Sequence, residues 1–311
     1  MKMKLKLVKY CFLIPGLFLL FFGKPTGGLT RSGAVLWDLG HIIIWALGTH
    51  VLLADLRLFK RRPIKVQFFF IAVIAITAGV LTETMQLLTE RSADIYDLLK
   101  DIIGTAIGLF YFNDDKSKLP FPLVKAAQGV ILITVLYYTL PFIKAVADEI
   151  IARMQFPVLS NFETPFEADR WFTKGSEIIS NDIIIEGDKA LMVKLRPEKY
   201  AGFALEYFNG DWQDYHSLHF SIFNPEPDSL ILNVRIDDKL HYRSGYAYSD
   251  RFHHAYTLLP GWNTIQINLE DVKKAPKTRE MDIRNIKNLM FFFLQPPGWV
   301  TVYIDDIKLV K

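Results

Sequence analysis

Five apolar stretches crowd into the first half of the chain, at roughly residues 8 to 23, 34 to 56, 66 to 88, 95 to 112 and 123 to 145, each near the ~17 to 25 residues a helix needs to cross a bilayer. Nothing comparable follows. A chain of 311 residues that is 51% hydrophobic but keeps its long apolar runs in one half divides into two bodies, one membrane and one soluble. Charge divides the same way. Residues 1 to 155 hold 18 Lys+Arg against 11 Asp+Glu, and residues 156 to 311 hold 18 against 22, giving +7 and −4. The basic excess flanks apolar runs, so it gives no reason to invoke nucleic acid. The single cysteine, Cys11, rules out an intrachain disulfide. It lies at the start of the first apolar run instead of ending it, the wrong place for a lipoprotein cysteine, and reads as a buried membrane residue.

Loop charges set an orientation. Lys2, Lys4, Lys6 and Lys9, the loop from Arg57 to Lys65, and the loop "NDDKSKLPFPLVK" carry the basic excess, and with five spans they alternate as cytoplasmic. The N-terminus is therefore expected inside, and everything after about residue 150 outside. No small-residue cleavage pattern follows the first run, so it is expected to remain as an anchor.

The polar residues of the apolar half gather near the outward end of three spans. Asp38 and His41 are three apart, as are Glu83 and Gln86, which puts each pair on one helix face. Asp94, Asp97 and Asp101, spaced three and four, share a face of span four, with Arg91 just before them. Charges facing lipid cost roughly 2.5 to 3.5 kcal/mol at a span centre, so these stripes are expected to point at one another and form a polar pocket open to the outside. Gly104 and Gly108 continue span four as a G-x-x-x-G pair that lets another helix approach closely. Lys100 is expected to pair with an aspartate of its own helix.

The D-x-x-H of span two, the E-x-x-Q ending span three and the R-x-x-D-x-x-D-x-x-x-D-x-x-G-x-x-x-G that follows resemble the VanZ-like family, named for a glycopeptide-resistance accessory, over about residues 1 to 145. The resemblance implies a multi-span envelope protein whose polar residues matter. Leu39 stands where that family usually has lysine, and Asp101 where asparagine is common. Three readings of the cluster stay open: an interhelical lock pairing Arg91 with Asp94 or Asp97 and His41 with Glu83; a pocket for a lipid-linked or glycan substrate with His41 or a carboxylate as general base; and a divalent metal held by His41, Glu83 and Asp97.

After residue 155 the text changes to short alternating segments. In "SLHFSIF" Leu218, Phe220 and Ile222 oppose Ser217, His219 and Ser221. "SLILNVRID" and "TIQINL" alternate likewise, with turn signals such as "NPEPDS" and "LLPGWN" between strands. Such a pattern predicts an all-β sandwich. The runs "FETPFEADRW", "DWQDYHSLHFSIFNP", "LLPGWNTIQINLEDV" and "VTVYIDDIKLV" resemble the galactose-binding-like jelly rolls found among carbohydrate-binding modules. Resembling modules often carry a structural calcium where first and last strands meet, which implicates Glu163, Asp305 and Asp306. The alternative is that Glu163 merely begins a strand and the aspartates are solvated.

A sugar surface is expected near "DDKLHYRSGYAYSDRFHHAY", with Tyr242, Tyr246 and Tyr248 as stacking rings and Arg235, Asp237 and Arg251 fixing hydroxyls. Trp212 and Trp262 look structural, and His253 and His254 look solvated. The expected architecture is a five-helix transmembrane bundle (1 to 148), a linker (149 to 160) and an all-β jelly-roll sandwich (161 to 311). The expected protein lies in the cytoplasmic membrane, contacts lipid, and binds envelope glycan or polysaccharide through its outer domain. Its bundle either acts on or senses that glycan, or is only a scaffold, and the module resemblance implies a structural calcium in the sandwich.

Overall fold

The computed structural model describes residues 2–23, 30–60, 62–88, 95–173 and 175–311. The chain forms two compact units, Met1–Ala145 and Val146–Lys311. The first is built from helices α1 (Lys2–Phe22), α2 (Arg31–Asp55), the short α3 (Arg57–Lys60), α4 (Ile64–Leu88), α5 (Ile95–Phe110) and the first part of α6 (Phe121–Gln155). Each expected apolar stretch is helical. The side chain of Thr30 caps α2 by accepting the Gly33 amide at 3.2 Å, one of the donors a helix start otherwise leaves unpaired.

Among the described residues three helices can cross a membrane by length and composition: Arg31–Asp55, Ile64–Thr82 and Phe121–Gln155. The apolar part of α1, Val8–Leu20, is shorter. At 16 residues and ~1.5 Å per residue, α5 spans only about 24 Å, less than the ~30 Å hydrocarbon core. Cys11 lies exposed on α1 rather than buried within the protein.

The glycine pair does what its spacing suggests. A Cβ on Gly104 would fall 2.4 Å from the Ile42 carbonyl oxygen, and one on Gly108 would fall 2.4 Å from Thr49 Cβ. The backbones of α5 and α2 therefore approach to a distance that only glycine allows.

The second unit is an antiparallel β-sandwich. Its strands are β1 (Val158–Ser160), β2 (Trp171–Thr173), β3 (Ser176–Ser180), β4 (Ala190–Leu195), β5 (Tyr200–Leu205), β6 (Ser217–Asn224), β7 (Leu230–Asp238), β8 (Phe252–Leu258), β9 (Gly261–Asn268), β10 (Ile286–Leu294) and β11 (Val300–Val310), with a one-turn helix α7 (Leu269–Lys274). One sheet runs β3-β4-β11-β6-β9 with β1 on β11, and the other runs β2-β5-β10-β7-β8. The chain changes sheet at every step except from β3 to β4 and from β7 to β8. Most paired strands are therefore distant in sequence.

The alternation read from β6 and β7 is the core pattern. Leu218, Phe220, Ile222, Leu232, Val234 and Ile236 are all fully buried. Between the sheets Phe291 stacks on Phe203 with centroids 5.2 Å apart and meets Phe220 edge-on at 5.0 Å, geometries that suit the ring quadrupoles.

The expected linker, residues 149 to 160, consists of the last turns of α6, a cis Phe156–Pro157 bond and β1. Within the second unit Arg170 is 1% exposed and pairs with Asp148 of α6 through Nε at 3.0 Å and Nη2 at 2.7 Å, while Nη1 donates to the Leu159 carbonyl. Glu167, also fully buried, accepts from Ser160 Oγ, Thr164 Oγ1 and the amides of Asn161 and Phe162. Burial works to raise the Glu167 carboxyl. The Thr164 hydroxyl, the Arg170 charge and the two amides outweigh it and leave the group below its ordinary value.

Candidate functional site

Two places gather chemistry, one in each unit. In the helical unit the small-residue contact of α5 with α2 brings His41 against Asp97 and Asp101. His41 Nδ1 lies 2.8 Å from Asp101 Oδ1 and Nε2 lies 3.5 Å from Asp97 Oδ2. Lys100 donates to Asp97 Oδ1 at 2.7 Å, as expected from their spacing, and lies 4.0 Å from Asp38 Oδ2. His41, Asp97, Lys100 and Asp101 are all buried, whereas the Asp38 side chain is 60% exposed. Of the other expected pocket residues, the side chains of Glu83 and Gln86, and residues Arg91 and Asp94, lie outside the described residues. Both ring nitrogens of His41 thus face carboxylates, and the cluster is closely paired among its described members.

In the sandwich the site is the outer face of the β2-β5-β10-β7-β8 sheet. Phe172 pairs with Ala204, Ala204 with Met290, Met290 with Arg235, and Arg235 with His253. Directly opposed residues share a face, so one row of side chains crosses all five strands. Ala204 and Gly202 keep the middle of the row low. A Cβ on Gly202 would come within 2.7 Å of the Phe291 carbonyl oxygen and of Phe292 Cβ, so the floor there stays bare.

The result is a cleft of about 320 Å³ lined by Phe172, Tyr200, Met290 and Phe292 from β2, β5 and β10 and by Arg235 of β7 and Arg251 just before β8, so that apolar groups lie toward one edge of the sheet and cations toward the other. Tyr200 meets Phe292 edge-on at 6.0 Å. The size falls at the lower end of the roughly 300 to 1,000 Å³ of small-molecule clefts.

The expected ligand residues divide. Arg235 and Arg251 line the cleft. Asp237 does not: it is 1% exposed and holds Arg235 Nε at 2.7 Å on one oxygen and Asn288 Nδ2 at 2.7 Å on the other. Tyr248 lies under the Arg251 guanidinium at 4.9 Å and beside His253 at 5.0 Å. Tyr242 and Tyr246 are exposed on the β7–β8 connection and form no part of the lining.

That connection is pinned at its base. Arg279 bridges Asp238 and Asp250 with both carboxylates engaged twice, and His241 Nδ1 donates to the Asp250 carbonyl at 3.0 Å. The Arg279 guanidinium holds the Asp250 carboxyl down to about 2. Asp238 is also held below its ordinary value: burial works to raise it, and Arg279 with the Asp282 amide outweighs burial.

Sequence reading missed Phe172, Tyr200, Met290 and Phe292, and it placed His253 in solvent. His253 is half-buried, packs 5.6 Å from Phe292, and keeps Nδ1 buried. The same period-two count applied to β2, β5 and β10 would have placed these residues on one face of each strand, but not side by side. Trp212 is fully buried and donates to the Asn209 carbonyl, and Trp262 packs on Phe223, both structural roles as expected.

The residues expected to hold calcium are not gathered as a cage. Glu163 Oε1 accepts the amides of Asp188 at 2.7 Å and Lys189 at 3.0 Å. Asp305 accepts the amides of Ile185, Glu186 and Asp306, and Asp306 pairs with Lys308 at 2.7 Å. Among the described residues no group of three or more His, Cys, Asp or Glu side chains is arranged for a metal ion. Amide hydrogens and an ammonium group stand where a cation would need oxygen, so these carboxylates do not fit a calcium site. No step below uses one.

No protein-family model matches the chain, and no curated protein does. The VanZ-like pattern of the first half therefore rests on its residues alone. The second half is similar in fold to carbohydrate-binding-module β-sandwiches. Solved structures that match include the family 11 carbohydrate-binding module from Clostridium thermocellum in complex with a β-1,3-1,4-mixed-linked tetrasaccharide, at 17% identity over 49% of this chain and 94% of that one, with a TM-score of 0.37. An exo-β-agarase matches at 16% identity over 49% of this chain and 24% of that one, TM-score 0.40. The CBM22-1–GH10 modules of Clostridium thermocellum xylanase 10B, complexed with xylohexaose, match at 17% identity over 50% and 28%, TM-score 0.34.

Proposed function

We propose that this chain is an integral membrane protein of a cell envelope, with its N-terminus cytoplasmic and its sandwich outside, and that the outer sheet face of the sandwich binds glycan. The observation that carries the reading is the cleft: flat rings on one wall suit the C–H faces of a sugar, and guanidinium groups on the other suit its polar substituents. Support for the membrane placement comes from three helices of sufficient length and apolarity, from basic loops that alternate, and from the VanZ-like residue order. The envelope lipid and a lipid-linked glycan are the partners this placement implies.

For the bundle two readings stand. One makes His41 a general base acting on, or sensing, a membrane-associated glycan. The close pairing of His41 with Asp97 and Asp101 at 2% exposure favours the other, an interhelical lock in a membrane-anchored binding protein.

The test is a saccharide array probed with the full-length protein in detergent micelles, beside Tyr200→Ala and Phe172→Ala. Binding that both substitutions weaken at unchanged melting temperature is expected. Binding indifferent to both would move the site off this sheet, and absence of any binding would end the glycan reading. For the bundle, loss of folded protein on Asp97→Asn supports the lock, and a folded variant with altered function supports the site.

A further inference from the structure

The cleft carries a charge opposite to that of its domain. Residues 156 to 311 hold 18 Lys+Arg against 22 Asp+Glu, yet the lining contains two arginines and no aspartate or glutamate. The acid nearest them in the network, Asp237, has both oxygens engaged, one by Arg235 and one by Asn288. Arg251 has no equivalent. Among the described residues no carboxylate pairs with it, and its Nε is buried without a hydrogen-bond partner. His253, two residues on and opposite Arg235 in the strand register, likewise keeps Nδ1 buried without one.

Holding these groups together works against the fold. Burial, then the neighbouring Arg235 charge, lowers Arg251 below the ordinary guanidinium value, and burial with the charges of Arg251 and Arg235 pushes His253 below the ordinary imidazole value. A buried donor left unsatisfied costs about 1 to 3 kcal/mol. An oxyanion seated between the arginines would reverse each of these penalties, because a guanidinium offers parallel N–H donors matched to a carboxylate or sulfate. The aromatic wall formed by Phe172, Tyr200 and Phe292 lies across the same cleft, so the oxyanion belongs to a ring-bearing ligand.

We propose that the cleft binds an acidic saccharide, its carboxylate or sulfate held between Arg235 and Arg251 and its ring on the aromatic wall. The inference rests on the reading of this sheet face as a glycan site and adds the charge class of the sugar.

The test titrates full-length protein in detergent micelles with oligogalacturonate, its carboxyl-reduced counterpart, carrageenan-derived oligosaccharide, which carries sulfate and no carboxylate, and its desulfated counterpart. At least one acidic probe is expected to bind tenfold or more tightly than its neutral partner, with affinity falling as salt rises. The carboxylate and sulfate arms identify the oxyanion. Arg251→Met is expected to abolish that preference while melting at or above the parent temperature, since it removes a half-buried cation whose Nε has no hydrogen-bond partner. A neutral counterpart that binds as well as its acid, or an unchanged preference in Arg251→Met, overturns the acidic inference and leaves the glycan reading standing. A lowered melting temperature in Arg251→Met marks a structural arginine and also overturns it. If none of the four probes binds while other saccharides do, the inference fails alone. If no saccharide binds, both fail.

Discussion

On α6 of the helical unit Ile133 and Tyr137 are each 69% exposed, whereas on β10 of the sandwich Leu289 and Phe291 are 0% exposed. Both units bury paired charge, His41, Asp97, Lys100 and Asp101 between helices and Arg170 with Asp148 in the second unit, but the sandwich also places guanidinium groups in a cleft. A soluble unit gains stability by removing apolar area from water, at roughly 25 cal/mol per Å². A unit that shows its apolar side chains outward suits an apolar surrounding, which is the membrane placement proposed above.

The largest expected effect tests that contrast directly. Phe291→Ala removes a ring from the centre of the aromatic core and is expected to destabilise the sandwich by about 3 to 5 kcal/mol. Ile133→Ala on the exposed flank of α6 is expected to change the stability of the detergent-solubilised protein by no more than ~0.5 kcal/mol. Equal losses in thermal unfolding would show that α6 is packed against protein rather than open to its surroundings.

A smaller effect sharpens the description of the helical unit. Gly104→Ala places a methyl 2.4 Å from the Ile42 carbonyl oxygen, while Gly40, on the partner helix α2, has nothing within 4 Å of its Cβ position. Gly104→Ala is expected to cost about 1 to 3 kcal/mol through overpacking. Gly40→Ala is expected to stabilise α2 by up to ~1 kcal/mol through helix propensity. If the melting temperatures of both variants rise, the α2–α5 contact is not the tight one described.

The smallest effect is a pH dependence of the sandwich. Glu167, Asp238 and Asp250 have lowered carboxyl values. Their contribution is present above the unfolded range near ~4 and is lost as pH falls, through about 2 for Asp250. Asp305 runs the other way, because burial outweighs its three amide donors and pushes it up to about 6. Its contribution is full below ~4 and is lost as pH rises through about 6. Asp305→Asn is expected to flatten the decline of the melting temperature between pH 4 and 6 and to leave the acid limb in place. A decline unchanged in that variant would show that another group causes it.

Much of this could be read along the chain. Apolar runs longer than any sandwich strand mark the helices, and period-two alternation marks β6, β7 and β9, because burial imposes a local repeat on any segment with one dry face. The G-x-x-x-G of α5 and the shared face of Asp97 and Asp101 are equally local. Arg235 and Arg251 were legible as groups that could fix sugar hydroxyls beside the tyrosine-rich segment.

The row from Phe172 to His253 could not be read that way. Its five members are separated by up to 118 residues of chain, from 172 to 290, and they adjoin only because β2, β5, β10, β7 and β8 lie in that order. Strand order depends on how two sheets close one core. The same reason removes Tyr242 and Tyr246 from the cleft lining and turns Asp237 from a ligand contact into the support of Arg235. Local periodicity says which face of a strand is wet, and only tertiary pairing says which wet residues become neighbours.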